Sequence, residues 1–250
     1  MLSISRLEEI QSIIEKKTNE NHSDSLELCQ VGINLLFDAF NILVNMDVYT
    51  SKEHYYRLAI WGYLGSMTST LVWCLNAAHK GQYRIAMILI RVLIEEAVTA
   101  KYYSKYPEKA FEAMEQAAQD FTSRVRFEPD IYKKFKAVGI CPNNSLYKFY
   151  GQVSEGFSHS TLTMLPINVD SKQRIVRVKE PDYNPETLEA ITTYILQLAY
   201  MMIVTVGITF TDLQSLSPEW SKESKAFLDM VIERRENEQD KNSNEIRNIN

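Results

Sequence analysis

Ile85-Ala-Met-Ile-Leu-Ile-Arg91-Val-Leu-Ile94-Glu95-Glu96 is the stretch on which the fold turns. It holds no glycine and no proline, and its apolar residues run unbroken except at Arg91. A helix is the structure that accommodates such a run and still gives its few polar residues a common side. At about 100° per residue, Arg84, Arg91, Glu95 and Tyr102 share one narrow face. A charge within so apolar a helix is expected to be buried and to need a partner. Glu95 lies one turn on from Arg91 and is the first candidate. Two readings stay open. The stripe is an ion pair that fixes one helix arrangement, or Arg91 and Arg84 face a cleft and hold a phosphate or carboxylate.

Two more runs flank this helix. Leu58 to Ala78 and Ala190 to Thr211 carry no charged side chain. Each is long enough to cross the roughly 30 Å hydrocarbon layer of a bilayer. Both are diluted by small and polar residues, among them Gly62, Gly65, Ser66, Ser69, Thr192, Gln197 and Thr205. Neither end carries a cluster of lysine and arginine. This predicts two central, mutually close helices in the core of a soluble cytoplasmic protein. Gly62, Gly65, Ser66 and Ser69 would permit close backbone approach. A membrane-associated protein is the alternative.

The bulk composition agrees with a helical protein. Of 250 residues, 8 are Gly and 7 are Pro, too few for a turn-rich all-β fold. The net charge of -5 gives no general attraction to nucleic acid or anionic lipid. Cys29, Cys74 and Cys141 are far apart, which predicts reduced thiols and excludes metal-ligand spacing. His22, His54, His79 and His159 lack zinc spacing, and no phosphate-binding glycine loop or nucleophile elbow occurs. No metal and no cofactor is expected. The N-terminus has no apolar signal core.

The all-α fold expected from these patterns is a helical bundle with a small hairpin or irregular excursion near 166–184. Helices are expected near 3–18, from Asp24 to Met46, from Ser51 to His79, over 82–104 and over 107–126. Thr18–Ser25 reads as a loop, and Asp24 with Glu27 as a capping box. Gly81 suits the end of the 51–79 helix. Short helices follow from Pro129 toward Val138 and from Leu146 to Glu155. Pro185 opens a long helix to Leu216, and Pro218 opens the last. Residues 1–232 form a single helical domain, and the charged, Asn-rich 233–250 reads as a frayed or disordered tail.

A second constellation is Tyr147-Lys-Phe-Tyr150-Gly-Gln-Val-Ser154-Glu-Gly-Phe-Ser158-His159. Tyr147, Tyr150, Ser154 and Ser158 share a helical face. A histidine among hydroxyls at a helix end is a candidate general acid or base near neutral pH, or else a structural histidine bonded to a backbone carbonyl or neighbouring carboxylate. Two polar stripes in one bundle satisfy each other most readily by facing, so His159 is expected within side-chain reach of the Arg91 stripe.

Arg91-Val-Leu-Ile-Glu95 in an apolar helix, the Tyr102-Tyr103 pair before Tyr106-Pro107, and Tyr150…Val153-Ser154…Phe157-Ser158-His159 together resemble bacterial helical proteins of the HEPN superfamily, including abortive-infection-type members. The resemblance covers about 80–160. It implies an up-and-down bundle, usually a homodimer, with an RNA or protein partner. It also implies a role in phage defence, as a binding or regulatory protein or as a metal-independent ribonuclease. The ribonuclease motif of that superfamily is Arg, four to six residues, then His. Positions 152–154, where its arginine would fall, are Gln152, Val153 and Ser154. A catalytic reading therefore joins His159 as acid/base to Arg91 as charge stabiliser. The residues assigned to binding are Arg84, Glu95, Tyr102, Tyr150 and Ser154.

Overall fold

The computed structural model describes residues 4–45, 55–119, 130–158, 167–170, 175–178 and 181–249. The helices are α1 (Ile4–Val44), α2 (Tyr55–His79), α3 (Tyr83–Lys105), α4 (Pro107–Gln119), α5 (Ile131–Ala137), α6 (Ser145–Ser158), α7 (Pro185–Thr209), α8 (Leu213–Leu216) and α9 (Pro218–Ile249). Strands β1 (Ile167–Asp170) and β2 (Ile175–Val178) pair antiparallel, with Ile167 opposite Val178 and Asp170 opposite Ile175. This is the hairpin expected near 166–184 in an otherwise all-α bundle. Met46, residues 51–54 and residues 120–126, which belong to three of the expected helices, lie outside the described residues.

α1, α2, α3 and α7 form the central bundle. α2 and α7 each pack against both α1 and α3, and they meet each other across the diagonal. α4 covers α2, α5 and α6 cover α3, and α9 lies on α1 and α7. The buried positions of α2 are Ile60, Leu64, Met67, Leu71, Cys74 and Ala78, steps of three and four that line one side of the helix. α7 is buried on most of its surface, from Leu188 through Ile195 and Met202 to Val206, which explains the lack of charge from Ala190 onward.

Local signals set the joints. Gly81 has φ 70°, and Gln82 N–H donates to the carbonyl of Ala77 while Gly81 N–H donates to that of Ala78. This is a Schellman close to α2. A side chain at 81 would also meet Ile14. Gly139 closes α5 in the same way, through Ile140 N–H to the carbonyl of Phe135. The Asn184 side chain accepts the N–H of Thr187 and caps α7 ahead of Pro185. Trp220 Nε1 donates to the Leu35 carbonyl at 2.8 Å and ties α9 to α1.

Three expectations are corrected. Thr18–Ser25 is not a loop: α1 runs through it with one kink at His22. Thr18 and Ser25 are themselves buried, so the polar run still carries a packed face. The 185–216 helix is interrupted after Thr209, where the backbone turns at fully buried Phe210 before α8. α9 runs from Pro218 to Ile249. Gly62 and Ser69 do not line a helix contact and face outward on α2; Ser66 bonds Glu96 of α3, and Gly65 lies against the Phe40 ring.

Candidate functional site

α3 presents Arg91 and Glu95 one turn apart, and Arg91 Nε donates to Glu95 Oε1 at 3.3 Å. Across from them α6 brings Tyr150, whose hydroxyl donates to the same Glu95 oxygen at 2.8 Å. The Arg91 guanidinium lies 5.9 Å from the Tyr150 ring centroid. Ser154 follows Tyr150 by one turn and hydrogen-bonds toward its hydroxyl. Arg91, Glu95, Tyr150 and Ser154 therefore form one cluster at the α3–α6 contact.

Its chemistry follows from burial. The Tyr150 ring is buried beside Tyr132 and Phe135, with ring centroids 5.7 and 5.6 Å away, and Tyr147 packs on the same two rings. Burial raises the Tyr150 hydroxyl above its ordinary pKa, and donation to Glu95 raises it further; Ser154 and Arg91 pull the other way. Tyr150 is thus held as a protonated donor. The Arg91 side chain keeps 33% of its surface exposed and Glu95 keeps 39%. Arg91 is bonded to Glu95 as expected, but it is half-buried rather than buried, because the cluster opens to solvent beside α6.

The other stripe residues stay apart. Arg84 is exposed at the start of α3. Tyr102, about 27 Å along the axis from Arg84, packs on Tyr103 and Tyr106 with centroids 5.8 and 5.0 Å away. Sharing a helical face gives residues a common direction, and 18 intervening steps separate them regardless. His159 lies outside the described residues. Among the described residues no group of three or more His, Cys, Asp or Glu is arranged to hold a metal ion.

Two polar contacts on α3 had no sequence signal. Lys134 of α5 is buried at 2% exposure, with Nζ 3.0 Å from Thr99 Oγ1 and 5.8 Å from the Tyr103 ring centroid. Nothing in Lys133-Lys134-Phe135-Lys136 singles out the middle of those lysines. Glu96 accepts a hydrogen bond from Ser66 of α2, and burial raises its pKa.

Three helices among the described residues are long and apolar enough to cross a membrane: α1, α2 and α7. In α2 only 33% of that apolar window is buried inside the protein, against 61% in α7. Large apolar side chains stay exposed: Trp73 of α2 is 69% exposed and Ile85 of α3 49% exposed, and Ile88 and Val92 of α3 and Phe37 and Val44 of α1 are exposed too. No family model, curated protein or solved structure matches the chain.

Proposed function

We propose that this chain is a soluble, cytoplasmic binding or regulatory protein that works as a homodimer through the outer face of α2 and α3. The observation that carries this reading is the set of exposed residues Gly62, Ser69 and Trp73 on α2 and Ile85, Ile88 and Val92 on α3. Large apolar side chains grouped on a surface mark an interaction site. The α3 part is self-complementary. Arg84 and Glu95 sit on the same side of the helix, about 16 Å apart. The midpoint between them falls near residue 90, which is also the midpoint of Ile88 and Val92. A two-fold axis through that point sets each Arg84 against the partner's Glu95 and packs the apolar residues on themselves. The small residues of α2 would let the backbones approach. A phage-defence setting is what the HEPN-like sequence features imply.

Light scattering during size-exclusion chromatography tests it. The expected mass is twice 28.9 kDa. Ile88→Glu and Trp73→Glu, both at exposed positions, should each give monomer with unchanged helicity. A monomeric wild type, or dimers that survive both changes, would overturn the proposal. Wild-type protein that floats with liposomes instead would assign the face to lipid.

The ribonuclease reading has one observation in its favour: Arg91 gathers with Tyr150 and Ser154, and Ser154 is five residues before His159. Metal-independent RNA cleavage by the purified protein, lost in His159→Ala, would establish it. Cleavage that is absent, or that persists in His159→Ala, would reject it.

A further inference from the structure

A cavity of about 260 Å³ opens on the side of the bundle away from the dimer face, between α3, α7, α9 and the start of α6. Its wall is apolar where it is deepest in the fold: Ile140, Leu146, Met201, Val204 and Val231. Two cations border it, Lys101 from α3 and Arg235 from α9. No carboxylate lines it. Neither Lys101 nor Arg235 makes a hydrogen bond or ion pair with another described residue. Their neighbour Arg234 does, to Glu189 Oε1 at 3.5 Å. Gln197, held by Ser145 Oγ at 3.4 Å, adds a positioned amide at the same wall.

We infer that this cavity is a binding site for a small amphipathic monoanion, an apolar body with one carboxylate or comparable acidic head. The apolar wall would take the body, as in most small-molecule sites, where a few polar groups orient a largely hydrophobic ligand. Lys101 and Arg235 would take the head. A neutral ligand of the same shape leaves both cations without a counter-charge. A small inorganic anion leaves the wall uncovered. The class is therefore set by the pairing of the two features. α9 lies on α1 and α7 and contributes Val231 and Arg235, so the ligand would join the last helix to the central bundle. The inference is independent of the dimer proposal, because none of these residues lies on the outer face of α2 and α3.

Octanoate titrated into the full chain by calorimetry is the test, with octanol and inorganic phosphate as the other arms. Octanoate should bind at least tenfold more tightly than octanol, and phosphate should not bind. Raising the salt should weaken octanoate and leave octanol unchanged. Lys101→Gln with Arg235→Gln should lower octanoate affinity about tenfold or more without moving octanol. Both side chains are at least partly exposed, so the fold should be kept; far-ultraviolet dichroism checks this. Val204→Trp, which fills the wall instead, should abolish binding of both organic ligands. Equal affinity for octanoate and octanol, phosphate binding as tight as octanoate, unchanged affinity in the double variant, or no octanoate binding at millimolar concentration would each overturn the inference.

Discussion

Tyr150→Phe is the perturbation that best separates a structural role from an exposed reactive role for the α3–α6 cluster. It removes one oxygen and leaves the ring contacts with Tyr132 and Phe135 in place, so no cavity forms. The hydrogen bond lost is 2.8 Å long and runs to a carboxylate. Bonds to charged groups contribute about 1.5–3 kcal/mol. Glu95 keeps Arg91 and keeps contact with water, since 39% of its side chain is exposed, so the lower end applies, about 1.5 kcal/mol. For a domain of this size that is a fall of about 3–6 °C in Tm. Arg91→Met provides the contrast. The Arg91–Glu95 pair is 3.3 Å long, one turn apart on a helix and a third exposed, so its loss should cost about 0.5 kcal/mol. This is far below the several kcal/mol expected had Arg91 been fully buried. Chemical denaturation of the two variants and the double variant would measure both values and their coupling through Glu95. A silent Tyr150→Phe, or an Arg91→Met costing more than about 3 kcal/mol, would refute the reasoning.

Further expectations concern other parts of the core. Burial raises the Glu96 pKa, so the folded state holds a proton that the unfolded chain has released. Stability should therefore fall as pH rises from about 4.5 through the folded pKa, and Glu96→Gln should lack that fall in melts across pH 4–8. Burial pushes the Cys29 and Cys74 thiols up to about 12, while Cys141 is exposed. A thiol-reactive disulfide dye should label one cysteine quickly in the native protein and the other two only on unfolding; fast labelling of all three would contradict the packing. A Cβ on Gly32 would lie 2.7 Å from the Phe227 ring and 3.2 Å from Ala199 Cβ. Gly32→Ala should therefore destabilise by about 1–2 kcal/mol despite its better helix propensity, and a more stable variant would show that α9 does not press on α1.

The sequence by itself determined the class of fold. Apolar spacing, scarce glycine and proline, Pro185 and Pro218 at helix starts and Gly81 at a helix end are local signals, and local hydrogen bonding obeys them. It also determined that Arg91 would take Glu95, because residues four apart on a helix meet whatever surrounds them. What it left undetermined depends on contacts between distant residues. Thr18–Ser25 is polar in composition, yet Thr18 and Ser25 are buried, so the chain stays helical there. Gly62 and Ser69 read as part of a packing seam, but they face outward on α2, and Ser66 instead bonds Glu96 of α3. Tyr150 meets Glu95 across 55 residues, and Lys101 of α3 and Arg235 of α9 border one cavity though they are far apart in sequence. Periodicity fixes the direction of a side chain about its own helix. Only the packing of helix on helix decides what stands in that direction.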